Sequence, residues 1–171
     1  DQFPGIIITP AEVSFLKAEA SERWGIGAPA KSKYEKGIRQ SIDFWYYINA
    51  LNNNADGTAF TPKVKPSSTV IDNFLTHALI AYAGTTSQKL ELIATQNWAN
   101  FTVIQAQQAW AEYRRTGYPK LIYINDGSSL QSPLPPTRLL YPENERTYNP
   151  INYEAVKSKD RLDVKIFWDV N

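Results

Sequence analysis

The chain has 171 residues, of which 43% are apolar, enough to bury a core of ordinary domain size. Its 18 Lys and Arg balance 17 Asp and Glu without any run of five like charges, which excludes the footprint of a nucleic-acid or anionic-membrane binder. The absence of Cys excludes disulfides, thiolate catalysis and cysteine metal sites from this segment, and no stretch approaches the roughly 20 apolar residues of a membrane span.

Thr9-Pro10-Ala11-Glu12 has the form of a capping box, with Pro at the first helical position and a carboxylate three residues after the hydroxyl. It predicts a helix over about 10–24, with Val13, Leu16, Ala20 and Trp24 at helical spacing and Gly25 and Gly27 ending it. A second helix is expected over about 29–48, with Ala30, Tyr34, Ile38, Ile42 and Trp45 on one face. The order Leu16, Ala20, Gly27, Ala30, Tyr34, Gly37, Ile38 has the look of one degenerate tetratricopeptide repeat.

Between Asn49 and Ser68, three consecutive Asn, an Asp-Gly pair and two Pro mark a surface loop. A third helix is predicted over about 69–82, with Ile71, Phe74, Leu75, Ala78 and Leu79 inward, ended by Gly84. Thr85 to Gln88 offers another capping box for a fourth helix carrying Leu90, Ile93, Ala94, Trp98 and Phe101, while 103–113 reads as a fifth helix or a kinked continuation. The pattern breaks at Gly117-Tyr118-Pro119, after which five prolines exclude long helices. The expected fold class is therefore all-α: helical hairpins of tetratricopeptide type over 1–117, then an irregular, proline-rich C-terminal wrap over 118–171 with short helices near 148–156. The aromatics Tyr141, Tyr148, Tyr153, Phe167 and Trp168 argue for order in that last third.

The run Ala109-Trp110-Ala111-Glu112-Tyr113-Arg114-Arg115-Thr116-Gly117-Tyr118-Pro119, preceded by Ala94-Thr95-Gln96-Asn97-Trp98, resembles the signature of the SusD/RagB family. So do Pro136-Thr137-Arg138-Leu139-Leu140-Tyr141-Pro142 with Glu145, then Asn149-Pro150 and Asn152-Tyr153, the ending Phe167-Trp168-Asp169-Val170-Asn171, and the entry helix from Ala11 to Ala20. One departure is Ile104-Gln105-Ala106-Gln107-Gln108, where many members carry a glycine-containing break. The resemblance implies a non-enzymatic, surface-exposed outer-membrane lipoprotein of Bacteroidetes type that binds oligosaccharide, or in some members peptide, above a TonB-dependent SusC-like transporter. It also implies that this chain is the C-terminal portion, with any lipid anchor and its membrane association upstream of Asp1. No cofactor and no nucleic-acid partner are implied.

Sugars stack their C–H faces on aromatic rings and hydrogen-bond through their hydroxyls, so aromatics beside polar loops are the candidates. Tyr46, Tyr47 and Phe60, next to Asn52, Asn53 and Asn54, are the candidate substrate-binding residues, with a core or interface role as their alternative. Trp24, Trp45, Trp98 and Trp110 fall on apolar helix faces and are expected in the core. His77, the single histidine, has no nucleophile-elbow motif to serve, and Asp126, Glu143 and Glu145 read as solvated or capping carboxylates rather than a glycosidase pair. Asp56-Gly57 and Asn125-Asp126-Gly127 lack the spacing of a calcium loop and read as turns, so no metal site is expected. Arg114 and Arg115, at a helix C-terminus, read first as structural ion-pair partners and second as an anion clamp. A helical scaffold binding a peptide or partner protein is the rival functional reading, and a glycoside hydrolase the distant one.

Overall fold

The computed structural model describes residues 4–52, 59–123 and 135–167. Every regular element among them is helical, and the chain divides into two compact units, residues 1–120 and 121–171.

The first unit begins with α1 (Pro10–Trp24), whose start is set by Pro10 and by the Thr9 hydroxyl accepting the Glu12 amide at 3.1 Å. Gly25, left-handed at φ 66°, ends it. The helix α2 (Ala30–Ala50) returns antiparallel to α1: Ser14 Oγ donates to Gln40 Oε1 at 2.6 Å, and Phe15 packs over Gly37. A Cβ at position 37 would lie 2.7 Å from Phe15 Cε1, so the close approach of the two helices depends on a residue without one. This hairpin is the one tetratricopeptide-like copy expected from the order of small and aromatic residues.

The short helix α3 (Ser68–Leu75) is capped by Ser67, and α4 (Thr86–Phe101) by the predicted capping box: Gln88 N donates to Thr85 Oγ1, and Thr85 N donates to Gln88 Oε1. α4 lies antiparallel along α1, tied by Asn100 to Thr9 at one end and Lys89 to Glu22 at the other. Thr102, at φ 49°, breaks α4 from α5 (Ala106–Thr116), which ends on left-handed Gly117. The expected alternative of one kinked helix is thus resolved as two. The core joins Ala11, Phe15 and Ala18 to Tyr34, Ile38, Ile71, Leu75 and Ile93. Tyr34 is fully buried there, and its hydroxyl donates to the Ile80 carbonyl at 2.7 Å.

Three expectations need correction. The third helix stops at Leu75 rather than near Tyr82; the backbone continues in turns in which Ile80 N and Ala81 N both donate to the His77 carbonyl, and Phe74 and Leu79 are exposed. On α1 the buried stripe is Ala11, Ser14, Phe15, Ala18 and Glu19, because helices in close contact bury small residues; Leu16 and Trp24 lie on the neighbouring, exposed stripe. Of the four tryptophans expected in the core, Trp24 is 68% exposed, and Trp98 and Trp110 also reach solvent. Trp45 alone is half-buried and anchored, its indole N–H donating to the Asn100 carbonyl at 3.0 Å.

In the second unit, α6 (Glu143–Tyr148), α7 (Pro150–Val156) and a 3-10 turn (Lys157–Lys159) are the short helices of the proline-rich region. Asp160 gathers them: its carboxylate accepts the Tyr141 amide at 2.8 Å, the Tyr153 hydroxyl at 2.7 Å and Arg146 Nη2 at 3.2 Å. These donors hold its carboxyl below the usual range, the Tyr141 amide most.

Candidate functional site

An open cleft of about 350 Å³ lies between α2, α3 and α4, a size within the range of small-ligand sites. On α2, Ile38, Ile42 and Tyr46 recur every fourth residue, so the stripe that enters the core at Ile38 runs outward to a phenol at Tyr46. Ser41 stands beside it. Pro66, Val70, Ile71 and Phe74 form the opposite wall, and Gln96, Ala99 and Asn100 of α4 the third.

Polar ties join two of the segments that form the cleft, α2 and residues 63–72. Arg39 pairs with Asp72, Lys65 Nζ lies 2.7 Å from Asp43 Oδ1, and Lys63 N donates to Asn49 Oδ1 at 2.7 Å. Together these bind the segment 63–72 along α2. Trp45 donates to the Asn100 carbonyl, one of the acceptors a helix C-terminus leaves unpaired, and so ties α2 to the end of α4. The Asn100 carboxamide donates through Nδ2 to Thr9 Oγ1 at 3.2 Å, while its buried Oδ1 has no partner among the described residues.

Among the described residues, no charged side chain lines the cleft. Within the first unit, Glu12 and Glu19 have shifted acidity and do not line the cleft. Burial pushes Glu12 up, helped by nearby Glu112 and opposed by the Thr9 backbone amide. Burial also acts on Glu19, but Arg115 and Arg23 outweigh it and hold that carboxyl low. Arg115 Nη1 and Nη2 donate to Glu19 at 2.8 and 2.6 Å, and its Nε and Nη2 to Glu112 at 2.9 and 2.8 Å. That arginine therefore ties α5 to α1, which bears out its structural reading.

The predicted site residues separate. Tyr46 lines the cleft. Tyr47, the next residue on the helix, projects about 100° away and is 57% exposed outside it. Phe60 is half-buried and does not line it either. His77 is exposed, with its Nδ1 accepting the Leu79 amide at 3.3 Å. Glu143 faces solvent beside Arg146, and Glu145 accepts the Asn149 carboxamide at 3.0 Å; both are structural helix-end carboxylates. Asp126, Asp56-Gly57 and Asn125-Asp126-Gly127 lie outside the described residues. Sequence reading missed Ser41, Val70, Phe74 and Gln96. Only the four-residue recurrence of Ile38, Ile42 and Tyr46 on α2 signalled this face.

Comparison with known proteins places the chain. The family model described as SusD and RagB outer membrane lipoprotein matches residues 1–169. The solved structure of a Bacteroidetes AC2a SusD-like protein is 30% identical with a TM-score of 0.72, covering 99% of this chain and 31% of that one. A chitin-binding protein is 32% identical at a TM-score of 0.64, covering 95% and 33%. A SusD homologue from Bacteroides fragilis is 27% identical at 0.65, covering 94% and 34%. The comparison with curated proteins gives no match. This chain spans about a third of the length of the solved relatives it matches. The resemblance read from the Arg-Arg-Thr-Gly-Tyr-Pro run and its companions is thus borne out, and the chain belongs to the SusD/RagB family of outer membrane lipoproteins.

Proposed function

We propose that this chain takes part in non-catalytic capture of oligosaccharide at the cell surface, for uptake through a TonB-dependent SusC-like transporter, as the C-terminal part of a longer, lipid-anchored SusD-like domain. The observation that carries the reading is the uncharged cleft, with aliphatic and aromatic walls and a few convergent hydroxyl and amide groups from Ser41, Tyr46 and Gln96. Such a surface suits the alternating C–H and hydroxyl faces of a neutral sugar. Among the described residues no carboxylate lines it, whereas a glycosidase needs an acid and base pair flanking the bond. A relative 32% identical that is described as chitin-binding supports a glycan as the ligand. Tyr46 is the inner contact; Tyr47 and Phe60 serve as outer contacts for further sugar units.

Calorimetry against a panel of neutral and charged oligosaccharides, with a peptide mixture beside it, tests the reading. Saturable binding of one glycan class without release of reducing ends, weakened about tenfold or more by Tyr46→Ala, is the expected outcome. Binding of peptides alone would replace the reading with a peptide scaffold, and release of reducing ends would replace it with a hydrolase.

A further inference from the structure

Resting on the glycan-capture reading, we propose that the α2–α3–α4 cleft recognises the acetamido group of an uncharged 2-acetamido sugar. Three features of the cleft converge on this ligand class. Part of its wall is branched aliphatic side chains, Ile38, Ile42, Val70 and Ile71, an apolar surface that can bury a methyl group beside the sugar ring. Among the described residues its lining carries no charge, and the nearby Arg39 and Lys65 are already paired with Asp72 and Asp43. A uronate, a sulfate or a free amino sugar would enter with an ion that finds no partner, at a desolvation cost.

The third feature is the disposition of the two carboxamides. Asn100 has its Nδ2 bonded to Thr9 and its Oδ1 buried without a partner among the described residues, whereas the half-buried Gln96 carboxamide lines the cleft with neither its donor nor its acceptor engaged among the described residues. A carboxamide offers both a donor and an acceptor, which is the complement of the C=O and N–H of an acetamide. The Tyr46 and Ser41 hydroxyls remain for the ring oxygens and hydroxyls. The methyl is then buried among isoleucines while both amide groups are satisfied.

The test is calorimetry of the full-length protein with three β-1,4-linked tetramers of equal length, built from N-acetylglucosamine, glucosamine and glucose. The acetylated tetramer is expected to bind at least about tenfold more tightly than either other, the scale of one well-made buried polar contact plus a methyl. In Gln96→Leu, which keeps the volume and removes the amide, that preference should collapse; Tyr46→Phe gives a second, gentler variant, and circular dichroism checks that both fold. Equal affinity for the glucose tetramer overturns this inference and leaves the glycan reading standing. A preference that survives both variants moves acetamide recognition out of this cleft and also overturns it. Failure of the three tetramers and of every panel oligosaccharide sinks both.

Discussion

Replacing Gly37 by Ala tests the close approach of α1 and α2. Two effects oppose each other. Alanine in a helix interior is favoured over glycine by about 0.5–1 kcal/mol, but the added Cβ would fall 2.7 Å from Phe15 Cε1 and 2.9 Å from both Cδ1 and Cζ. Phe15 is 1% exposed and packed edge-on against Tyr34 at 6.3 Å between centroids, so its ring has nowhere to retreat. Overpacking of this kind costs about 1–3 kcal/mol, and the net expectation is a loss of about 1 kcal/mol. In urea that is a midpoint lowered by about 0.3–1 M at unchanged slope, followed by far-UV circular dichroism. The companion variant Phe15→Leu should make Gly37→Ala much less harmful, giving a coupling energy in the double-mutant cycle. Gly37→Ala as stable as the parent would refute the claim that this glycine sets the α1–α2 distance.

Glu12→Gln should leave stability unchanged near pH 4 and raise it at pH 7. Burial lifts the Glu12 carboxyl above its ordinary 4.5, so the folded state holds that proton more tightly, and stability falls as pH rises from the unfolded value through the folded one; melting temperatures across this window check the sign. Arg115→Ala should cost about 1–3 kcal/mol at neutral pH, discounted because the guanidinium is itself 46% exposed while Glu19 and Glu112 are each 11% exposed. The loss should shrink at low pH, since the depressed Glu19 contributes stability above 4.5 that disappears as pH falls through its folded value; a pH-independent loss would contradict it. Asp160→Ala should speed amide exchange across α6, α7 and residue 141 by removing three acceptor contacts, and leave α1–α5 protected. Uniform protection after the substitution would show that the carboxylate does not organise the second unit.

Local signals in the chain determined the helix ends. Thr9-Pro10, Thr85 with Gln88, Gly25 and Gly117 each stop or start a helix through bonds that reach only three or four residues, so α1, α4 and the end of α5 were legible from spacing alone. The proline density of the last third likewise excluded long helices there, and the family was legible from a run of adjacent residues. What tertiary structure decided was the facing of those helices. On α1 two apolar stripes overlap, and contact with α2 and α4 buried the one with Phe15 and Ala18 rather than the one with Leu16 and Trp24. The third helix lost its last two turns once Ile71 and Leu75 were buried and the backbone from His77 turned so that the Ile80 carbonyl could accept the Tyr34 hydroxyl. The cleft belongs to the same category. Its residues come from positions 38 to 46, 66 to 74 and 96 to 100, and side chains so far apart in the chain become one surface only when separate helices pack, a relation no local periodicity encodes. Tyr46 could be named from sequence as an aromatic near a polar loop; its companions Ser41 and Gln96 could not, because each is an ordinary polar residue until packing brings them to one wall.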